Sequence, residues 1–331
     1  LSGFVNAILR SVIREQDSIG VEDLASNDIE VISFIYNIPL WLIDLWMGEF
    51  GRDKTEDLCA WFNQQPKLTA RINTILIDIP QCLTLLKEQG WDVSQDSNYK
   101  DIIYINSHRG SLEKSDAVIK GYITFMDKAS MLVARLVNPQ PGERVLDCCA
   151  APGGKSMYMA ALMDNTGSLM SCDIHEHKIA LMESNAQRLG ISIVQTKVQD
   201  ATELPSAWKS YFDRVLVDVP CSGLGILQKK LDMRWRKDES TLSELPPLQL
   251  AILERAAMTV KEKGYLVYST CTLNYKENED VVEAFLQKHK EFSIVPVGTD
   301  FPLKSNNGMI TTYPPTDDMD GFFMVKMQRI S

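Results

Sequence analysis

Strand-like and helical patterns alternate along the second half of the chain, and this alternation constrains the fold more than any other feature. Strand-like apolar segments occupy 144–149, 168–173, 192–197, 213–218, 264–270 and 322–327, and helical patterns at 155–163, 175–189, 246–261 and 277–289 lie between most of them. The first four strand-like segments lack strict apolar–polar alternation, as expected for strands buried on both faces. The pattern predicts an α/β domain over 126–331 with a doubly wound, mostly parallel sheet.

Two further segments precede this domain, as a chain of 331 residues allows. Residues 1–65 carry the apolar spacing of amphipathic helices and predict a helical segment. Residues 66–125 combine strand-like stretches with a short amphipathic helix and predict a small α+β module. The chain begins at Leu1 inside a helical pattern, so we expect further sequence upstream.

The cysteine pattern bears on the compartment. The seven cysteines include no C-x-x-C pair, which disfavours a zinc ribbon, and no secretion signal is visible. Free thiols in a reducing cytosol are the better interpretation. No apolar stretch approaches the roughly 18 residues of a membrane span. We therefore expect a cytoplasmic protein with no metal and no membrane contact, and we expect it to be a monomer.

Small and reactive residues collect at the ends of the predicted strands. Five strand ends are followed by CCAAPGGK, CDIHEH, VQDAT, VDVPCSG and STCT. Because the carboxyl ends of parallel strands meet at one edge of a doubly wound sheet, these five loops should line one ligand-binding crevice.

The first of these loops, Cys149–Lys155, suits a ligand that approaches backbone N–H groups at a helix start. A nucleoside-triphosphate loop would need glycine where Cys149 stands, and the dinucleotide pattern G-x-G-x-x-G is absent. The remaining candidate is an adenosyl cofactor without a pyrophosphate, such as S-adenosylmethionine. Asp173 could then bind the ribose hydroxyls and Asp200 the adenine, although each could instead be a loop or helix cap.

Two cysteines differ from the other five because they follow strand ends. Cys221 and Cys271 both fall in the predicted crevice, whereas a buried cysteine is usually a small core residue. A zinc pair has no obvious histidine partners, and a disulfide is disfavoured in the cytosol. A catalytic pair fits best, with one thiolate forming a covalent adduct and the other helping to resolve it.

The net charge of −10 argues weakly against a nucleic-acid partner, which usually leaves a basic footprint. Local charge differs from the total. The basic segment Lys229–Lys237 contains an aromatic residue, and a second basic pair is Arg10 and Arg14. A solvated loop and an RNA contact are both open for Lys229–Lys237.

Three motifs make a family resemblance plain. VLDCCAAPGGKS, DVPCSGLG and YSTCTLNYKENEDVV resemble the signature motifs of the Nol1/Nop2/Sun family of RNA cytosine-5 methyltransferases. The N-terminal GFVNAILRSVIR resembles the end of the NusB-like RNA-binding domain found in the family's bacterial Sun branch, whose members methylate small-subunit ribosomal RNA. The resemblance implies a Rossmann-like methyltransferase domain, S-adenosylmethionine as cofactor, small-subunit rRNA as partner and RNA binding by the small α+β module.

The resemblance also implies a role for individual residues. Cys271 would attack C6 of a cytosine, and Cys221 would assist the release of the enzyme. Asp218 would contact the base near N3, and Lys155 would lie near the reacting centre. The cofactor pocket would comprise the glycine-rich loop and three carboxylates: Cys149, Ala150, Ala151, Pro152, Gly153, Gly154, Lys155, Asp173, Asp200 and Asp218. Four cations of the basic segment would contact RNA: Lys229, Lys230, Arg234 and Arg236.

Two rival functions remain open at this stage. One is a different adenosylmethionine enzyme, acting on DNA, a small molecule or another RNA such as tRNA. The second cysteine, Cys271, favours RNA over DNA. The other rival is a catalytically silent RNA-binding or ribosome-assembly factor, against which the intact Asp218, Cys221 and Cys271 argue.

Overall fold

The chain divides into two compact units, Leu1–Asn63 and Gln64–Ser331, and the computed structural model describes residues 2–15 and 28–330. The described part of the first unit is helical, as its apolar spacing predicts: α1 (Ser2–Glu15), α2 (Asp28–Tyr36), α3 (Leu40–Phe50) and α4 (Arg52–Phe62). The stretch 16–27 of that prediction lies outside the described residues. Helix α3 starts directly after Pro39, whose fixed φ suits a helix start. Its buried Trp46 stacks on Phe62 of α4 with ring centroids 5.6 Å apart.

Among the described residues, no single helix is long and apolar enough to cross a membrane. The helical segments Ile29–Tyr36 and Leu40–Phe50, which are bent by 116° relative to each other, are long and apolar enough only when they are taken together.

The second unit begins with the predicted small module. Its elements are β1 (Leu68–Ile72), α5 (Ile79–Glu88), β2 (Asp92–Gln95), β3 (Ile102–Ser107), α6 (Asp116–Ile119) and β4 (Ile123–Phe125). The strands form an antiparallel sheet in the order β2-β3-β1-β4, and α5 packs its buried Cys82 and Leu86 into the core beneath that sheet. Asn73 then joins the module to the rest of the unit, because its amide donates 2.9 Å hydrogen bonds to the carbonyls of Gly121 and Leu189.

The larger part of the second unit is the predicted doubly wound sheet. Its strands are β5 (Arg144–Asp147), β6 (Ser168–Asp173), β7 (Val194–Val198), β8 (Phe212–Asp218), β9 (Val260–Thr270), β10 (Phe292–Ile294), β11 (Met309–Thr311) and β12 (Phe323–Arg329). Their order is β10-β12-β9-β8-β5-β6-β7, with β11 paired to β12. Strands β5 to β9 are parallel, and β12 joins β9 antiparallel.

Helices cover both faces of this sheet. They are α7 (Lys128–Val137), α8 (Gly154–Leu162), α9 (Glu176–Arg188), α10 (Met233–Arg236), α11 (Thr241–Ala257), α12 (Glu279–Lys288) and α13 (Pro314–Asp317). Residues of α7, α8 and α9 share one apolar core, and residues of α11 and α12 share the other. The predicted helix 246–261 is wrong at both ends. It starts at Thr241 and ends at Ala257, because Val260 already pairs with Phe212 and lengthens β9.

The order of the strands reverses between β5 and β8. The chain runs outward from β5 through β6 to β7, then returns to β8 on the other side of β5 and continues to β9. Ligands of open α/β sheets bind outside the carboxyl ends of the strands at such a reversal. The loops after β5 and β8 carry two of the three signature motifs, and the loop after β9 carries the third.

Candidate active site

The two cysteines predicted to lie in the crevice, Cys221 and Cys271, are in contact. Strands β8 and β9 are parallel neighbours, and Asp218 at the end of β8 pairs in register with Ser269, one residue before the end of β9, so the loops that follow them emerge side by side. The Sγ atoms of Cys221 and Cys271 lie 3.2 Å apart, and the Cys271 backbone N–H donates to the Cys221 sulfur at 3.3 Å. The hydrogen bond with Cys271, together with burial, holds the pKa of the Cys221 thiol well above its ordinary value. Cys221 therefore bears its proton at neutral pH.

An ion pair lies at the reversal of strand order. Lys155, in the first turn of α8, places its Nζ 2.6 Å from Oδ2 of Asp218 at the end of β8. The Ser269 hydroxyl donates to the other carboxylate oxygen of Asp218 at 2.7 Å. Burial alone would lower the pKa of Lys155, but its interactions with Asp218 and Cys271 outweigh that effect and raise it. The cationic form of Lys155 is thus secured beside both the carboxylate and the Cys271 sulfur.

The glycine-rich loop bends back on itself before α8. Gly153 has φ of 99°, in the left-handed region, and its N–H donates to the Ala150 carbonyl at 2.7 Å. A Cβ atom at Gly153 would lie 3.0 Å from the side chain of Met182, so glycine suits both the conformation and the space. The Ala150 N–H also donates to the Cys172 carbonyl at 2.7 Å, which ties the loop to β6.

The two remaining carboxylates of the predicted pocket differ in surroundings. Asp173 ends β6, is buried, and accepts a 3.0 Å hydrogen bond from the His175 N–H. Asp200 is only partly buried, and its Oδ1 accepts from both the N–H and the hydroxyl of Thr202. These bonds lower the pKa of Asp200 and make it the cap of a short 3₁₀ turn. The capping role left open in the sequence therefore exists, and the contact of Asp200 with adenine stays a prediction.

Two comparisons match the chain to known methyltransferases. The family model "16S rRNA methyltransferase RsmB/F" matches residues 134–328, and a model of the ferredoxin-like domain of these proteins matches 38–110. A Bacillus subtilis (strain 168) protein named "Probable ribosomal RNA small subunit methyltransferase B" is 34% identical over 99% of this chain and 74% of its own length. The Yersinia enterocolitica "Ribosomal RNA small subunit methyltransferase B" is 30% identical over 99% of this chain and 73% of its own length. The chain belongs to the RsmB/F family of 16S rRNA methyltransferases.

Solved structures agree with this assignment. The crystal structure of PH0851 superposes with a TM-score of 0.86 at 32% identity, covering 91% of this chain and 68% of that chain. The structure of NSun6 from Pyrococcus horikoshii with SFG has a TM-score of 0.80 at 21% identity, and the match covers 88% of this chain and 98% of that chain. The resemblance found in the sequence, the Rossmann-like fold and S-adenosylmethionine as cofactor are thereby confirmed.

The residues at this edge of the RsmB/F fold fit that cofactor. Asp147, Asp173 and Asp218 end three adjacent strands, so carboxylates surround the place where a ligand would lie. S-adenosylmethionine carries positive charge on its sulfonium and its amino group, which an anionic site favours over the phosphates of a nucleotide. Its carboxylate suits the backbone N–H groups at the start of α8. Within the described residues, no group of three or more histidine, cysteine or acidic side chains could hold a metal ion.

Asp147 was not singled out in the sequence, although it belongs to the site. It ends β5, is 1% exposed, and accepts a 2.6 Å hydrogen bond from Ser156 on Oδ2. Its Oδ1 has no hydrogen-bond partner among residues 2–15 and 28–330. Burial raises the pKa of Asp147 to about 7, although the bond from Ser156 opposes the rise. The only signal in the sequence was its position, directly before Cys148 at a predicted strand end.

The basic segment has a mixed environment. Lys229 lies between Asp127 and Asp320, and its Nζ is 2.9 Å from Oδ2 of the latter. Arg234 is buried, whereas Lys230 and Arg236 are exposed, with Arg236 3.3 Å from Asp232. Trp235, between the two arginines, is 60% exposed. The exposed part of the predicted RNA contact is therefore the tip formed by Lys230, Trp235 and Arg236.

Proposed function

We propose that this RsmB/F protein transfers a methyl group from S-adenosylmethionine to C5 of a cytosine in small-subunit ribosomal RNA, through a covalent adduct between Cys271 and C6 of the base. The observation that carries the proposal is the 3.2 Å contact between Cys221 and Cys271 beside the Lys155–Asp218 ion pair. The names of its relatives in Bacillus and Yersinia support rRNA as the substrate. That substrate implies a cytoplasmic location.

The chain's own residues supply the steps on the base. The Cys271 thiolate adds to C6, which places electron density on C5, while the ammonium of Lys155 lies beside the reacting centre. Asp218 is oriented by Lys155 and Ser269, and its free lone pairs can accept from the base as charge develops during the addition. When bound, S-adenosylmethionine supplies the electrophilic methyl group that C5 takes.

Release reverses the addition. The proton on C5 passes to solvent, the electron pair of the C5–H bond forms the C5–C6 double bond again, and the electron pair of the S–C6 bond returns to Cys271. Cys221 contacts the departing sulfur and bears a proton at neutral pH, so it assists this step by donating to that sulfur. Two adjacent strand ends thus serve two different steps, formation of the adduct and its cleavage.

The tip formed by Lys230, Trp235 and Arg236 supports the RNA contact. Helix α10 lies against the loop of Cys221, because a Cβ atom at Gly223 would lie 2.5 Å from the end of the Met233 side chain. An RNA strand that delivers a base to Cys221 would pass this tip, where cations neutralise phosphates and the indole offers a stacking surface. The base itself would be flipped out or single-stranded.

The test uses radiolabelled S-adenosylmethionine with unmodified small-subunit rRNA, and unmodified tRNA in a parallel reaction. We expect label in 5-methylcytosine of the rRNA with the native protein and with a Cys82→Ala control, whose thiol is buried in the small module. Cys271→Ala should abolish transfer, and Cys221→Ala should accumulate a covalent protein–RNA complex on a denaturing gel.

Each alternative gives a different result. Label in tRNA alone would reassign the substrate, and binding of RNA and cofactor without transfer would indicate a catalytically silent factor. Normal turnover by Cys221→Ala, with no trapped complex, would show that the two-cysteine mechanism does not operate in this protein.

A further inference from the structure

A fully buried carboxylate lies beneath the two cysteine loops. Glu277 is in the short turn after β9 and has no exposed surface. Its Oε2 accepts hydrogen bonds from the Ser222 N–H and from the Gln249 amide, both at 2.8 Å. Its Oε1 accepts from the Ser222 hydroxyl and, at 2.9 Å, from the Asn274 amide. Four donors therefore converge on one carboxylate.

These donors connect both loops. Ser222 directly follows Cys221, and Thr272 directly follows Cys271. The hydroxyls of Ser222 and Thr272 are 2.7 Å apart. A carboxylate cannot donate, so the Ser222 hydrogen is directed to Glu277 and the Thr272 hydroxyl donates to Ser222. One chain of hydrogen bonds thus runs from the Cys221 loop, through Glu277, to the Cys271 loop.

The position of Cys221 depends on this carboxylate more than that of Cys271 does. Cys271 directly follows the central strand β9. Cys221 lies between two backbone anchors, the Ser222 N–H bonded to Glu277 and the Pro220 carbonyl, which accepts at 3.0 Å from Gln249. Because Gln249 is itself held by Glu277, both anchors on either side of Cys221 depend on Glu277.

We propose that Glu277 is a positioning residue that holds the thiol of Cys221 against Cys271 for the release step. The proposal rests on the proposed function for its kinetic part. A buried carboxylate with four donors gives a fixed geometry, and a buried charge that loses donors is costly, so the arrangement has one favoured state. Because Glu277 is fully buried, it would act through Cys221 and not by touching a substrate.

The direct test measures the position of the sulfurs without RNA. Diamide, a two-electron thiol oxidant, would take two electrons and two protons from Cys221 and Cys271 to form a disulfide, scored by mass spectrometry. In Glu277→Gln, either orientation of the amide directs its NH₂ group at two of the four donors. We expect the disulfide to form at least about tenfold more slowly than in the native protein, since a disulfide needs specific geometry.

A matched control is Glu279→Gln, two residues along, whose carboxylate accepts a long hydrogen bond of 3.4 Å from the Thr311 hydroxyl. It should cross-link at the native rate. If Glu277→Gln does not fold, Ser222→Ala removes one donor while leaving three and should slow the reaction in the same direction by a smaller factor. Native cross-linking rates in folded Glu277→Gln, or in Ser222→Ala where that is the variant that folds, would overturn the proposal.

The kinetic test separates positioning from a general loss of structure. Glu277→Gln should lower kcat at least about tenfold, leave the KM for S-adenosylmethionine unchanged, and accumulate the covalent RNA complex, as expected for Cys221→Ala. Slow turnover without a trapped complex would contradict a role in release. If Cys221→Ala traps no complex either, the proposed function fails, and the cross-linking rates still decide whether Glu277 positions the sulfurs.

Discussion

The buried carboxylate of Asp147 predicts an unusual dependence of stability on pH. Its pKa is raised from 3.8 to about 7, first by burial, and one of its oxygens has no partner among the described residues. Between these two pH values the native state binds a proton that the unfolded chain has released. Stability must therefore fall as pH rises from about 4 to about 7, and it should be constant above that.

The size of the effect follows from the shift. A rise of about 3 pKa units corresponds to about 4 kcal/mol at 1.36 kcal/mol per unit, and about two-thirds of it, ~3 kcal/mol, develops between pH 5 and pH 8. In Asp147→Asn the side-chain oxygen still accepts from Ser156, but no charge has to be buried. We expect the variant to gain about 3 kcal/mol of unfolding free energy relative to the native protein between these pH values.

Urea unfolding of both proteins at half-unit intervals from pH 5 to pH 8, without cofactor, measures this difference. Other titrating groups are shared by the two proteins and cancel. Asp213→Asn is the control, because Lys261 and the Arg144 N–H lower the pKa of Asp213 despite its partial burial. The ionised carboxylate of Asp213 already contributes its full stabilisation at pH 5. Asp213→Asn should therefore have a lower free energy of unfolding than the native protein by the same amount at every pH from 5 to 8. Parallel profiles for native and Asp147→Asn would refute the reasoning.

Three further predictions concern the cofactor, the loops and the RNA. As pH falls below 7, the dissociation constant of S-adenosylmethionine, measured by calorimetry, should rise by up to about tenfold per pH unit, because the cationic cofactor binds more tightly when Asp147 is ionised. Asp147→Asn should remove this dependence on pH. Gly225→Ala should lower the free energy of unfolding by ~2 kcal/mol or more, since its Cβ would lie 1.8 Å from a backbone oxygen. Its control is Gly48→Ala in α3, where nothing lies within 4 Å of the added Cβ, so that this variant should be more stable by about 0.5–1 kcal/mol. Equal melting temperatures of the two variants would contradict this prediction. Trp235→Ala should raise the KM for RNA about tenfold at unchanged kcat, and Trp235→Phe should preserve it, while an unchanged KM in both variants would exclude stacking.

The sheet and the position of the site could be predicted because they depend on patterns that are local in the chain. Apolar runs and the residues after them are enough to place Cys221 and Cys271 at strand ends. Their actual contact needed one more fact, that β8 and β9 are neighbours with Asp218 opposite Ser269. The carboxyl ends of neighbouring parallel strands lie at one edge of the sheet. A prediction of which strands are parallel therefore also predicts which loops line the site.

Asp147 and Glu277 were harder to recognise because their importance depends on burial and on partners. Asp147 stands at a strand end like Asp173, yet only the structure shows that it is buried and that none of the described residues donates to one of its oxygens. Glu277 lies six residues after Cys271, in a stretch that looks like an ordinary polar loop. The turn Tyr275–Glu277 directs it inward, where donors from two other segments, Ser222 and Gln249, meet it.

The basic segment Lys229–Lys237 shows that the role of a charged side chain also depends on partners that are distant in the sequence. A run of lysine and arginine indicates an RNA contact only if the cations are not already paired by residues from elsewhere in the chain. Lys229 is paired by Asp127 and Asp320, which lie 102 and 91 residues away in sequence, so its charge stabilises the fold around the site. Lys230 and Arg236, a few residues along, remain exposed. A chain with net charge −10 can therefore combine an anionic pocket with the small exposed cationic tip that is proposed to contact RNA, because burial decides which charges a ligand meets.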